Sequence, residues 1–280
     1  MKYWYIADAI KRDDGKTTLL LKYEISKEVF QKLNNDFSIC GITHAITEIK
    51  DIVIENGETF KNWMKPENLQ NQREHGIEAE RMILLSNKLV LNYASSIKTY
   101  IDIETRLLAK HKKEKAEYFE KLQSAFYDKH MEYRFWANFQ NYVVHCALPY
   151  TGFEETIGKP CNIICLKSHL LEYKKWKQSQ DDIREMPDSI NLVALVDNMS
   201  SLIYTMYLDF YNLFSEEIIK GIKSYSTICA EYEVENPIIC TTPEPWDIAK
   251  GKILPLPIPQ LQKAFNVLKS NPNVTITVKN

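Results

Sequence analysis

The sequence predicts a mainly α-helical fold, an antiparallel helical bundle with small β additions at the N- and C-terminal ends. Apolar residues recur at three- and four-residue steps from about residue 70 to residue 147, the spacing of amphipathic helices. A seven-residue apolar repeat from Leu192 to Leu213 predicts a further packed helix. Segments typical of strands lie chiefly near the two ends of the chain, so we expect the bundle between them.

Composition is that of an ordinary folded protein and leaves the class of partner open. Of the 280 residues, 45% are hydrophobic and 26% are charged, so a sizeable core can form. The formal net charge of -2 neither supports nor excludes a nucleic-acid partner, because a local basic patch suffices. The first residues lack the pattern of a signal peptide, and no apolar run approaches the ~20 residues of a membrane span. We therefore expect a cytoplasmic protein without a membrane segment.

Six cysteines are scattered along the chain, a pattern that fits reduced and mostly buried thiols. Cys161 and Cys165 precede His169, but their spacing is one residue too long for the usual zinc-binding pair. No second pair of cysteines follows them at a comparable spacing. We expect neither a metal nor any other cofactor.

Residues 1–65 are predicted to form a mixed α/β region. "YWYIADAI" and "TTLLLKYEI" flank "KRDDGK", whose Asp-Gly pair is typical of a hairpin turn. Ser26 is placed to cap a short helix over "KEVFQKLNN". The segment "ITEIKDIVI" alternates in part and ends at "ENG", which predicts another strand.

Residues 66–232 are predicted to form the helical core, with an insertion at about 150–187. Consecutive helices follow one another from about residue 70, and "MEYRFWANFQNYVVHCAL" is the last of them before Pro149. Their short joints predict that consecutive helices lie antiparallel. Within the insertion, "PYTGFEETIGKP" is typical of a loop, "CNIICL" of a strand and "SHLLEYKKWKQ" of a short helix.

The clearest periodicity lies near the end of this core. Its steps alternate between four and three residues, through Leu192, Val196, Met199, Ile203, Met206, Phe210 and Leu213. Such a seam packs on other helices, either within the chain or across a dimer. Residues 233–280 are predicted to form a C-terminal α/β extension, with a helix near 258–269 and a last strand "VTITV".

The helix over residues 131–148 carries two parallel stripes of side chains. The apolar stripe comprises Phe135, Phe139, Tyr142 and Cys146. The polar stripe, about a quarter turn away, comprises Arg134, Asn138, Asn141 and His145. An ordinary solvent face would carry Lys and Glu, which are better helix formers than Asn. Uncharged polar groups instead predict a half-buried surface that hydrogen-bonds a partner.

The segment "QNYVVHCALP" in this helix resembles the signature of HEPN-domain proteins, many of which are metal-independent ribonucleases. Their motif is an Arg, four to six intervening residues and then a His, often with an Asn directly after the Arg, and it lies on a late helix of an α-bundle. Asn141 and His145 match the motif, whereas Gln140 stands where the family has Arg. The resemblance covers roughly residues 70–232.

The resemblance implies a HEPN-like bundle that acts as a homodimer and cleaves RNA without metal, by attack of the 2′-hydroxyl on the adjacent phosphate. His145 would then be the general acid/base, because His titrates near neutrality. Asn141 would position the substrate or the imidazole, and Gln140 would occupy the site of the phosphate-binding cation. Arg134 and Asn138 are predicted to contact the substrate. The implied system-level role is that of a toxin or an antiviral abortive-infection effector, partnered by an antitoxin or a phage-trigger protein.

Three explanations of Gln140 remain open. The chain is an inactive version engineered from a toxic nuclease, or it is a natural relative with weak catalysis. Alternatively, Arg134 supplies the missing cation from the partner chain. We favour the first explanation as a hypothesis.

Other interpretations of the polar stripe also remain open. One alternative is that the chain is a non-catalytic helical module that binds RNA or protein. Another is that the stripe is a structural network of amides. A second pair, Arg106 and His111, has the same spacing, but Leu107 replaces the polar neighbour and the pair falls at a Lys-rich helix end. It is therefore the weaker match.

Overall fold

The computed structural model describes residues 2–111, 113–247 and 250–275, and it confirms that the chain is mainly helical with small antiparallel sheets. The strands are β1 (Tyr3–Lys11), β2 (Thr17–Ile25), β3 (Tyr150–Glu154), β4 (Asn162–Cys165), β5 (Pro237–Thr242) and β6 (Lys252–Pro255). The helices are α1 (Lys27–Asp36), α2 (Ser38–Trp63), α3 (Pro66–Glu74), α4 (Ala79–His111), α5 (Lys113–Lys129), α6 (Met131–His145), α7 (Lys167–Leu170), α8 (Ser179–Glu185), α9 (Val196–Leu213), α10 (Ser215–Glu231) and α11 (Ile258–Ser270). A 3₁₀ turn, Leu192–Leu195, precedes α9.

The chain divides into two compact units, Ile46–Tyr207 and Met1–Ala45 with Leu208–Asn280. This division differs from the predicted boundaries near residues 65 and 232. Residues 1–45 of the predicted N-terminal region belong to one unit with the whole predicted C-terminal region, and β5 pairs with β1 in that unit. Local sequence patterns indicate that a strand forms, but they do not show which distant strand it will pair with.

A four-stranded antiparallel sheet, in the order β2-β1-β5-β6, is the core of the unit that contains both chain ends. The predicted hairpin of β1 and β2 is confirmed. Gly15 in its turn has a φ of 78°, which glycine adopts without steric cost. The predicted cap is also confirmed, because Ser26 Oγ accepts a hydrogen bond from the Val29 N–H at 3.3 Å.

Several predicted elements need correction. The strand predicted over "ITEIKDIVI" is wrong, because these residues lie in α2. Ile46, Ile49 and Val53 are buried there at steps of three and four, so helical periodicity decides over partial alternation. The loop predicted at "PYTGFEETIGKP" contains β3, which pairs with β4. Most of the last predicted strand, "VTITV", lies outside the described residues.

Helices α5 and α6 follow one another along α4, and both run opposite to it. Gln123 of α5, eleven residues after position 112 between the two helices, donates a hydrogen bond to Thr105 of α4, seven residues before that position. The ring of Trp136 in α6 meets Tyr93 of α4, which lies earlier in that helix, with centroids 4.9 Å apart. The antiparallel arrangement predicted for α5 and α6 is therefore wrong. One extended residue, His130, separates them, whereas antiparallel helix pairs use loops of about 2–5 residues.

The heptad seam is buried within the chain. Six of the seven residues of the seam have an exposed fraction of 0%, namely Leu192, Val196, Met199, Ile203, Met206 and Phe210. Of the two partners predicted for this seam, the one within the chain is correct. A second copy of the protein cannot use these side chains without unfolding part of the core.

A buried carboxylate joins α1 to α10. The side chain of Asp36 is 1% exposed, and it accepts a hydrogen bond from Ser224 Oγ at 2.6 Å. Lys220 Nζ lies 2.7 Å from one carboxylate oxygen, and Lys32 Nζ lies 3.4 Å from the other. Burial acts to raise the pKa of Asp36, but the hydrogen bonds from Lys220 and Ser224 outweigh it, so this pKa lies below its usual value.

Asp36→Asn is expected to lower the free energy of unfolding by about 1–3 kcal/mol near neutral pH, because the charge-assisted contacts are lost. Since the folded-state pKa is lowered, this contribution is complete above the unfolded-state value of about 3.9 and disappears as the pH falls through the folded-state value. Urea unfolding of both proteins at about pH 7 and about pH 3 measures the difference. An equal loss at both pH values would contradict the prediction. Lys32→Gln, which removes the longer contact, is the control with the smaller expected effect.

Candidate functional site

The apolar stripe of α6 packs into an aromatic cluster. Phe135, Phe139 and Tyr142 are each 0% exposed, as the stripe predicts. Trp176 stacks on the Phe135 ring with centroids 5.5 Å apart and on the Tyr142 ring at 5.4 Å. Cys146 is exposed instead of buried, because α6 ends at His145 and the chain turns away. The cluster therefore packs α6 against Trp176 from Phe135 as far as Tyr142, at the start of its last turn.

The polar stripe divides into an internal half and an exposed half. Arg134 and Asn138 face protein, and the exposed fraction of Asn138 is 5%. Asn141 and His145, one and two turns further on, are exposed to solvent. The sequence pattern predicted one continuous surface, but only its C-terminal half is open to a ligand.

Arg134 is held by an internal carboxylate and by backbone carbonyls. Its Nε and one terminal nitrogen donate to the two oxygens of Asp182 at 2.9 and 2.8 Å. The other terminal nitrogen donates to the carbonyls of Tyr127 and Asp128, both at 2.8 Å. The side chain is only 11% exposed, so its donors face protein partners. We therefore replace the predicted substrate-binding role of Arg134 by a structural one, which also removes support for Arg134 as the cation supplied from a partner chain.

Asn138 is a structural amide. Its Nδ2 donates to the Arg134 carbonyl at 2.9 Å, to Ser179 Oγ at 3.2 Å and to the Tyr127 hydroxyl at 3.3 Å. These contacts join α6 to α5 and to the start of α8. The predicted substrate contact of Asn138 is corrected in the same way, because the amide is buried among these partners.

Asn138→Ala is expected to lower the free energy of unfolding by about 1–3 kcal/mol, because buried partners lose their donor. Asn141→Ala is the matched control, and we expect a change within about 0.5 kcal/mol because that side chain is exposed. Denaturant unfolding of the two variants makes the comparison. Equal losses would mean that the whole stripe is a structural network.

The exposed half of the stripe has unengaged polar groups. Among the described residues, the side chains of Gln140, Asn141 and His145 make no hydrogen bond, and Gln140 is half-buried. The Cys146 N–H donates to the Tyr142 carbonyl at 2.8 Å and so closes the last turn of α6. The amide and the imidazole therefore project from an ordered helix end with their donors and acceptors available to a ligand.

The spacing on α6 determines which of these groups act together. Asn141 and His145 are four residues apart, so their Cβ atoms lie roughly 5–6 Å from each other on one face. Gln140 is about 140° from His145 around the helix axis. The two groups on one face can bind the same phosphate, whereas Gln140 points elsewhere on the same molecule.

The competing pair, Arg106 and His111, is also exposed, near the end of α4. The other end of α4 lies beside the exit of α6, where Asn87 donates to the Tyr150 carbonyl at 2.8 Å. Asn87 and His111 are separated along α4 by about 36 Å. The two candidate pairs therefore belong to different places and cannot form one site.

The cysteine pair near β4 is buried. Cys161 and Cys165 lie in the interior, and burial raises the pKa of Cys165 to about 12. Nδ1 of His169 hydrogen-bonds Thr151 Oγ1 at 3.0 Å. Within the part of the chain that the structure describes, no group of three or more His, Cys, Asp or Glu side chains is arranged to hold a metal ion.

Among the described residues, every helix is too short or too polar to cross a membrane.

The sequence interpretation missed the segment over residues 171–178, "LEYKKWKQ", which we call the lysine segment. Tyr173 and Trp176 insert into the aromatic cluster, and Lys174, Lys175 and Lys177 remain exposed. The alternation of aromatic residues and lysines was the available signal. It was interpreted only as part of a short helix, whereas the structure has the single turn α7 followed by a bent, irregular stretch.

No family model, curated protein or solved structure matches this chain. The HEPN resemblance therefore remains a prediction carried by "QNYVVHCALP".

Proposed function

We propose that this chain is a metal-independent endoribonuclease of HEPN type, acting as a homodimer on RNA in the cytoplasm, and that Gln140 leaves the present sequence weak or inactive. The observation that carries the proposal is the pair of exposed side chains, Asn141 and His145, on one face of α6. A purely structural polar face would be covered by protein, as Arg134 and Asn138 are.

The proposed chemistry assigns a role to each exposed group. The imidazole of His145 removes the proton from the 2′-hydroxyl or returns one to the departing 5′-oxygen, while the 2′-oxygen forms a new bond to phosphorus. The amide of Asn141 donates a hydrogen bond to the substrate or fixes the imidazole. A cation at position 140 would stabilise the charge that develops on the phosphate oxygens, and Gln140 provides only a neutral donor.

A second copy of the chain completes this site in the proposal. Position 140 and His145 do not converge on one molecule, because they are about 140° apart on the helix. Val144 and Leu148 lie beside His145 with exposed fractions of 67% and 43%, and a partner copy would cover these apolar side chains. Pairing through this surface would bring position 140 of one copy toward His145 of the other.

The biological role that follows is growth arrest by RNA cleavage, as a toxin or an abortive-infection effector released by an antitoxin or a phage trigger. The presence of Gln140 is explained equally by an engineered loss of activity and by a natural one. The test is to compare RNA cleavage and growth arrest by the present chain and by Gln140→Arg. No gain in either measurement would remove the nuclease proposal.

The second candidate function is a non-catalytic module that binds RNA. The absence of a charged side chain at position 140 favours it, since Gln140 retains hydrogen bonding without transition-state charge stabilisation. This alternative predicts RNA binding without cleavage in both proteins.

A further inference from the structure

The lysine segment is held against α6 by its aromatic residues. Trp176 is 0% exposed, and its Nε1 donates to the Leu170 carbonyl at 2.6 Å. Its ring stacks on Tyr142, and the Tyr173 ring meets Tyr142 edge-on with centroids 6.2 Å apart. Because Tyr142 follows Asn141 directly and precedes His145 by less than one turn, the segment borders the exposed end of α6.

The lysine side chains of this segment point to an anionic partner. Lys174, Lys175 and Lys177 are exposed, and none of them forms an ion pair with another described residue. The segment's single carboxylate is Glu172, so three lysines and one glutamate leave a net charge of +2. Lys174 Nζ hydrogen-bonds the Leu171 carbonyl at 2.9 Å, which leaves its charge unpaired.

Neighbouring carboxylates are already engaged. Asp181 is paired with Arg184 at 2.7 Å, and Asp182 is paired with Arg134 at 2.8 Å. These pairs neutralise the first two acidic side chains that follow the segment along the chain.

Lys177 has an unusual backbone conformation. Its φ is 56°, in the left-handed region that favours glycine over a residue with a long side chain. A lysine kept in this conformation beside a candidate site is consistent with a functional requirement for its charge.

We infer that the lysine segment binds the phosphodiester backbone of RNA next to the exposed end of α6. The aromatic rings of the segment are buried and cannot stack on bases, so the recognition is electrostatic and independent of base sequence. The connection to cleavage rests on the proposed function, in which the segment holds the strand that His145 and Asn141 act on.

The test measures RNA binding and does not require cleavage. A variant with Lys174→Gln, Lys175→Gln and Lys177→Gln is titrated against a labelled single-stranded RNA at several salt concentrations. If all three lysines contact phosphates, the slope of log affinity against log salt falls in magnitude by about 2, since each contact contributes about 0.7. The matched control carries Lys121→Gln, Lys129→Gln and Lys223→Gln, which removes the same charge from α5 and α10, and its slope should equal that of the unchanged chain.

Several outcomes overturn the inference. Equal slopes in the two triple variants would show that net charge alone matters, and no RNA binding by the unchanged chain would remove the inference entirely. Loss of binding to phosphatidylserine vesicles with RNA binding retained would assign the segment to a membrane surface. An unchanged slope together with cleavage by Gln140→Arg would reject the lysine segment alone. A reduced slope without cleavage by Gln140→Arg would reject the nuclease and retain the RNA-binding surface.

Discussion

Gln140→Arg is expected to cleave RNA at least about 10²-fold faster than the present chain, because it restores a cation that stabilises charge on the phosphate in the transition state. An Arg should accelerate cleavage more than another cation at position 140, because its planar guanidinium donates two parallel hydrogen bonds to phosphate oxygens. Gln140 is half-buried and makes no hydrogen bond with another described residue, so the substitution breaks no hydrogen bond of the fold. Single-turnover cleavage of a labelled RNA, with a chelator present, measures the gain.

The matched control for this prediction is Gln31→Arg, which adds the same charge at an exposed position of α1. It should leave cleavage at the level of the present chain. Gln140→Lys should give an intermediate rate, because it adds a point charge without the planar fork. Equal cleavage by the variants at positions 31 and 140 would show that the result reflects overall charge and not this site.

His145→Ala, introduced into the Gln140→Arg chain, is expected to lower the cleavage rate by about 10²–10⁴-fold, the usual contribution of a general acid or base. The effect should be confined to chemistry, because His145 is exposed and makes no hydrogen bond with another described residue. Thermal unfolding should therefore be unchanged, and RNA affinity should fall little. Rates at saturating RNA, measured together with binding, separate these contributions.

His111→Ala in the same background is the matched control. His111 is also exposed and belongs to the competing pair with Arg106 near the end of α4. If α6 carries the site, this variant retains the rate of its parent. The opposite result, loss of cleavage with His111→Ala and retention with His145→Ala, would move the active site to α4.

Local patterns in the sequence were sufficient to predict those elements whose residues interact with near neighbours along the chain. The turn with Gly15 and the cap by Ser26 depend on contacts within a few residues along the chain. The periodicity of α9 indicated which of its side chains share one face, but their burial within the chain depends on residues far away in sequence. The strand predicted at "ITEIKDIVI" failed because a short apolar segment fits both a strand and a helix. Its burial on α2 depends on residues far away in sequence.

The candidate site shows the same division. The periodicity of α6 was enough to determine that Arg134, Asn138, Asn141 and His145 share one face, because the geometry of a helix is local. Which of these residues remain open was decided by the tertiary structure. Asp182 and Ser179, about 40 residues further along the chain, engage the first two side chains, and no described residue hydrogen-bonds the last two. The position of the lysine segment beside α6 was also decided by the tertiary structure. The stacking of Trp176 on Tyr142 is a long-range contact that helical periodicity does not encode.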